Sequence, residues 1–227
     1  MALSWQEIWE LRSRLYRFFG NCLLEPIRSE NVEVLSQQFW LDFPCEAANE
    51  QMKSGLKQVL NCLVKLKGLE EKEVIEEVMV EYTSLFLGPG RPKAPLWESV
   101  YRTPEGVIFG PSTYAVREAM QQDGFETRGK NRQPEDHLGL ELMFLAAVSE
   151  KIADSQVGSR YLIIQKQIHF IDEHLLSWIN QLSKDANLHG DIGFYGGLIE
   201  LIWGVLLWDK ELLREYLESE NLIDCLN

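Results

Sequence analysis

The chain has 227 residues, 45% hydrophobic and 25% charged, proportions that suit a globular domain with a sizeable core. Its 22 Lys and Arg against 35 Asp and Glu give a net charge of −13, which argues against a nucleic-acid partner because phosphate would be repelled. The same balance serves solubility and allows attraction of a basic partner, such as an Arg-containing peptide. Residues Met1 to Glu10 include Glu7 and Glu10 and no basic region, so no secretory signal is expected. The best apolar run, Phe194 to Trp208, is short and interrupted by Glu200, so no stable membrane insertion is expected either. Cys22, Cys45, Cys62 and Cys225 are scattered without a C-x-x-C pair, the pattern of reduced thiols in a cytoplasmic protein.

In chain order, nearly every segment reads helical. Leu3 to Leu24 carries a broad apolar face and ends before Pro26. Ser29 is a cap candidate for a helix containing Val32, Leu35, Phe39 and Trp40. Helices follow over Glu46 to Leu66, ended by Gly68, and over Glu70 to Phe86, with an acidic outer face at Glu70, Glu71, Glu73, Glu76 and Glu77. The pattern then breaks at Gly88-Pro89-Gly90, Pro92 and Pro95, because Pro lacks a backbone donor and fixes its own φ. This irregular stretch carries Leu96, Trp97, Val100 and Tyr101, and long aromatic loops of that kind tend to be functional. Ser112 reads as the N-cap of Tyr114 to Gln122, and Arg128 to Gln133 as a polar, basic loop. Pro134 opens a helix over Glu135 to Ala153, with Glu135 and Asp136 in the first turn where the dipole favours acids. Tyr161 to Leu182, Ile192 to Trp208 and Lys210 to Leu222 complete the chain. No strand alternation appears. The reading is all-α: a single-domain bundle over residues 1–227 of roughly eight to ten helices, with one long Pro/Gly/aromatic loop.

The chemistry-bearing residues are few. His137 and Glu141 stand at i, i+4 on one helix face, a spacing that suits a metal. Further ligands do not follow, since His169 and His174 diverge and His189 lies in a loop, so neither a metal nor another cofactor is expected. Asp136 is expected to accept from backbone donors at its own helix start, with His137 lining a groove. Ser99 and Ser112 lack a G-x-S-x-G setting, and Gly88-x-Gly90 lacks the Lys-Ser/Thr of a phosphate loop. Gly193, Gly196 and Gly197 near a helix start allow close helix approach or a phosphate.

Several motifs together resemble one family. Y-x-x-L-F-x-G-P at Tyr82 to Pro89, A-P-L-W-E-S-V-Y at Ala94 to Tyr101, I-F-G-P-S-T at Ile108 to Thr113 and P-E-D-H at Pro134 to His137 resemble the TorD/DmsD chaperones, most of all the DmsD-type branch. His174-Leu175-x-x-Trp178 is a fainter echo. The resemblance covers Glu81 to Ala147 and implies an all-helical, non-enzymatic cytoplasmic chaperone. Such a protein binds the twin-arginine signal peptide of a molybdopterin oxidoreductase in its apo form, DMSO or TMAO reductase-like, and holds back export until the cofactor is inserted. The implied peptide groove uses Tyr82, Leu85, Phe86, Trp97, Ser99, Gly110, Pro134, Asp136 and His137. The chain departs from DmsD at Tyr82, Gly90 and Tyr101, where DmsD has Trp, which leaves the client open. A ligand with two Arg and an apolar stretch wants aromatic walls and carboxylates, and Tyr82, Trp97 and Tyr101 with Glu98, Asp136 and Glu141 supply both kinds. Two other readings stand beside this one: a nitrate-reductase-type assembly factor, and a small helical metal-dependent hydrolase using His137 and Glu141. A monomer and a homodimer are both compatible with the sequence.

Overall fold

The computed structural model describes residues 3–127, 133–155 and 157–224. Arg128 to Arg132, most of the expected basic loop, and Cys225 lie outside them. Ten α-helices stand among the described residues: α1 (Trp5–Leu24), α2 (Gln37–Leu41), α3 (Glu50–Lys65), α4 (Glu71–Tyr82), α5 (Glu98–Arg102), α6 (Pro111–Gln122), α7 (Leu138–Asp154), α8 (Val157–Phe170), α9 (Ile179–His189) and α10 (Phe194–Asp224). No strand is present among those residues, and the all-α expectation holds. No helix among them is long and apolar enough to cross a membrane.

The helices differ from the sequence reading where local chemistry competes with periodicity. Residues 29–35 form a 3-10 segment, and Ser36 rather than Ser29 caps α2 by accepting from the Phe39 amide. Asn49 caps α3, so that helix starts later than Glu46. The stretch expected as one helix from Tyr161 to Leu182 is α8, a π-helical turn Ile171–Leu176 and α9. The two helices expected beyond Ile192 are one, because Asp209 does not interrupt α10. Pro111 takes the first position of α6 with Gly110 as N-cap, so the cap lies two residues before Ser112.

The chain forms two compact units. The first holds the described residues of 1–24, 97–177 and 209–227. Its core is α1 packed along α7, with Trp9, Tyr16, Phe19 and Leu23 from α1 and Leu138, Leu142, Leu145 and Ile152 from α7 all buried. Spacings of three, four and seven put each set on one helix face. Inside this core sits Arg12, whose guanidinium donates to both carboxylate oxygens of Asp209 and to Gln167, while the Tyr16 hydroxyl donates to Asp209. Burial works against the charge on Arg12, but Asp209 outweighs it and raises the pKa.

The second unit holds residues 25–96 and 178–208. There α3 meets the first half of α10 so closely that a Cβ on Gly55 would stand 2.4 Å from the Leu201 amide nitrogen, which only glycine allows. The start of α10 is closed by the buried carboxylate of Glu81, which accepts from the amides of Ile192 (2.9 Å), Gly193 (2.6 Å) and Tyr195 (2.9 Å). A phosphate at Gly193 would compete with that internal anion, whose place at the positive helix end is already filled.

Candidate functional site

In the first unit the P-E-D-H stretch ties three helix starts together. Asp136, fully buried, accepts from the Ser99 amide (2.8 Å) and the Thr113 hydroxyl (2.8 Å), and its carbonyl accepts from the Glu98 amide (3.0 Å). It therefore caps α5, 37 residues earlier in the chain, and anchors the first turn of α6. Sequence reasoning placed it on its own helix instead. That helix, α7, begins at Leu138 and is capped by His137, whose Nδ1 accepts from the Gly139 amide (3.0 Å). Burial lowers the pKa of His137 to about 4, so the ring is neutral at physiological pH. Its ring meets Trp97 edge-on at 5.4 Å, and the two residues also form an isolated backbone bridge. Glu135 leaves the helix as well: Arg117 grips it with two bonds of 2.9 and 2.8 Å. Burial pushes the Glu135 pKa up, but Arg117 outweighs this and holds it below the ordinary carboxylate range.

Two further carboxyls join Asp136. Glu98 is fully buried, with Arg102 on one oxygen (2.7 Å) and His174 Nδ1 on the other (3.0 Å). Glu141 is fully buried too, and neither of its oxygens meets a donor in hydrogen-bond geometry. Burial first, then the Glu98 and Asp136 carboxylates, push its pKa well above the usual range, so Glu141 is held neutral.

This buried knot backs an open pocket of about 440 Å³ lined by Glu98, Arg102, Thr103, Pro111, Ser112, Ala115, His169, Glu173 and His174. The pocket forms because α5 and α6 come together at Gly110, where a Cβ would stand 3.0 Å from both Ser99 Cβ and Thr103 Cγ2. Directly before Gly110 the chain exposes Val107, Ile108 and Phe109, with Phe109 58% exposed. Phe109 has φ +67°, a left-handed conformation unfavourable for a bulky residue, and such strain concentrates at functional sites. An aromatic held in water on a strained backbone, two residues before the pocket-lining Pro111, suits a ligand with a cationic and an apolar part.

The remaining candidate residues lie in the second unit. Tyr82, Leu85 and Phe86 are buried, and Tyr82, Phe86 and Tyr195 form a ring cluster with centroids 5.1 to 5.4 Å apart. Burial, then Glu25, raises the Tyr82 pKa to about 12. The helix α4 runs on into a π-helical turn, Thr83–Leu87, which places Met79, Val80, Thr83, Ser84, Gly88, Pro89, Arg91 and Lys93 around an open space of about 570 Å³.

The sequence-derived candidates thus fall into two sets: Tyr82, Leu85 and Phe86 in one unit, and Trp97, Glu98, Ser99, Tyr101, Gly110, Pro134, Asp136, His137 and Glu141 in the other. All of the second set are buried except Tyr101, which is half-buried. Sequence reasoning missed Arg102, Thr113, Glu173 and Phe109. The i, i+4 pair of Glu98 and Arg102 was a usable signal for the first; nothing in the sequence marks Phe109 for a positive φ. Among the described residues no three His, Cys, Asp or Glu stand together with the geometry to hold a metal ion.

A family model described as nitrate reductase delta subunit matches residues 45–184, more than half of the chain. A probable Tat proofreading chaperone DmsD of Haemophilus influenzae is 37% identical over 127 residues, 54% of this chain and 57% of that relative. The chain therefore spans little more than half the length of that relative. A chaperone protein TorD of Vibrio cholerae serotype O1 is 25% identical over 216 residues, covering 93% of this chain and 96% of the relative. A chaperone protein TorD of a Psychrobacter species is 23% identical over 224 residues, covering 96% and 98%.

Proposed function

Because the chain belongs to the nitrate reductase delta subunit family, the TorD family of chaperones, we propose that it is a maturation chaperone that captures the twin-arginine signal peptide of a molybdoenzyme subunit. In this reading the peptide is held on the apo subunit's behalf until the molybdopterin cofactor is in place, and export waits. The observation that carries it is the first unit's pocket, with the Glu98 carboxyl in its wall and the exposed, strained Phe109 two residues before Pro111, which lines it. Guanidinium groups form charge-assisted bonds to carboxylate, and the apolar stretch that follows the arginines in such a leader has aliphatic and aromatic side chains to cover. The net charge of −13 favours approach of a basic leader. Asp136, His137, Trp97 and Ser99 act from behind, by fixing α5 and α6 where the pocket needs them. Tyr82, Leu85 and Phe86, which the family resemblance also implies as peptide contacts, are buried in the second unit. The client is a DMSO or TMAO reductase-like enzyme in the first reading. A nitrate reductase is the second, favoured by the description of the matched family.

Calorimetric titration with leaders from both enzyme classes, beside copies with both Arg changed to Ala, tests this. Micromolar binding of one leader, weakened in its Ala copy, is the expected result and names the client class. Absence of binding across the panel overturns peptide capture by this chain.

A further inference from the structure

Arg102 already occupies the place that a ligand's arginine would take. Its Nη1 donates to the buried Glu98 Oε1 at 2.7 Å and to the Glu173 carbonyl at 2.8 Å, both in the pocket wall. Its side chain is 40% exposed, whereas the carboxyl it neutralises is completely buried. We propose that Arg102 is a resident stand-in for the ligand guanidinium: an arginine of the bound peptide displaces it from Glu98 and the Glu173 carbonyl, and Arg102 swings into solvent. The inference rests on the peptide-binding reading above, and it adds a built-in competitor that sets affinity and selectivity.

The physical case has three parts. A buried carboxylate left without a cation is strongly destabilising, so a protein that keeps Glu98 for a cationic ligand needs a partner for it when empty. His174 on the other oxygen supplies only part of that, because it is charged only when protonated. Next, the resident contact is open on one side: one nitrogen, on a five-residue helix, with a side chain 40% exposed. The exposed part of Arg102 gives it a route into water, so exchange needs no opening of the core. Finally, the exchange conserves charge, one guanidinium leaving as another arrives, so no buried charge is stranded on the way. The two acceptors, a carboxylate oxygen and a carbonyl, suit the fork of Arg better than the point charge of Lys, which makes the site selective for arginine.

Arg102→Gln tests this with three probes: a binding leader peptide, its Ala-Ala copy, and L-arginine amide. With the competitor gone, the Arg-Arg leader is expected to bind about tenfold more tightly, the scale of one lost charge-assisted contact, while the Ala-Ala copy is unchanged. An equal change for both copies, or weaker binding of the Arg-Arg leader alone, overturns the proposal. If wild-type protein binds no leader, peptide capture fails, and the stand-in role is judged by arginine amide: tighter binding to Arg102→Gln sustains a guanidinium site, and no gain overturns it. Should Arg102→Gln not fold, wild-type protein with ¹⁵N-labelled arginine answers the question. The Arg102 guanidinium signal, assigned by its loss in Arg102→Lys, must shift on adding the Arg-Arg leader and stay in place with the Ala-Ala copy; a signal unmoved by the bound Arg-Arg leader overturns the proposal.

Discussion

Glu141→Gln is expected to stabilise the protein above about pH 5 and to flatten its stability profile toward alkaline pH, at a rate set by about 1.4 kcal/mol per pH unit. Glu141 is buried among Glu98 and Asp136 and its folded pKa lies well above its unfolded value of 4.5. A group raised in this way contributes stability in full below the unfolded pKa, and loses it as pH rises toward the folded value. Wild-type protein must therefore keep Glu141 protonated at increasing cost, whereas Gln has no proton to lose. The amide keeps the size of the side chain and presents N–H donors to neighbouring carboxylate oxygens. His137 works in the other direction: burial holds its folded pKa near 4, so its contribution is complete above 6.5 and is lost as pH falls from 6.5 to about 4. Both proteins share that acid arm, so it cancels in the difference. Denaturant unfolding from pH 5 to pH 8 reads the gap, and curves that run parallel across this range would falsify the assignment of a neutral Glu141.

Asp209→Ala is expected to cost about 3–5 kcal/mol, the usual penalty for stranding one member of a buried ion pair. Arg12 reaches from α1 to Asp209 on α10, its guanidinium 5.3 Å from the centre of the Trp9 ring and 5.9 Å from that of Tyr16. Without Asp209 it retains only the Gln167 oxygen, at 2.7 Å, for a charge that is 1% exposed. The Tyr16 hydroxyl, whose pKa burial and Asp209 raise well above the ordinary value, also loses its acceptor. Removing both charges at once, in Arg12→Met with Asp209→Leu, should recover most of the loss, because a matched apolar pair strands nothing. Thermal unfolding of the single and double variants distinguishes this from simple loss of packing, in which the double variant is the worse.

The helical architecture was legible because long helices with one buried face repeat their apolar residues every three to four positions. Trp9, Tyr16, Phe19 and Leu23 in α1 are such a set. What escaped the sequence was settled by partners far along the chain. Ser29 and Ser36 offer the same hydroxyl, and only the fold chooses Ser36 as the cap. Asp136 sits in front of a helix, as a cap does, yet its acceptors serve Ser99 and Thr113 on two others. His137 takes the cap in its stead, a role that Ser, Thr, Asp and Asn usually fill. The carboxylates at positions 98, 136 and 141 were identified as a group, but a pattern of charges does not tell an exposed trio from one sunk behind a pocket wall.

The pairing of Arg12 with Asp209 also has a timetable. The two residues stand 197 positions apart. At synthesis rates of about 5–20 residues per second, roughly 10–40 s separate their appearance at the ribosome. During that interval the first helix has its arginine and no carboxylate to bury it against, so the α1–α7 core cannot close at full stability on a chain still being made. Stalled nascent chains whose position 209 has not cleared the ribosome should accordingly remain protease-sensitive in this unit, and chains that expose it, by means of a linker appended after residue 227, should not. A protein proposed to attend to the unfinished state of others passes most of its own synthesis unfinished.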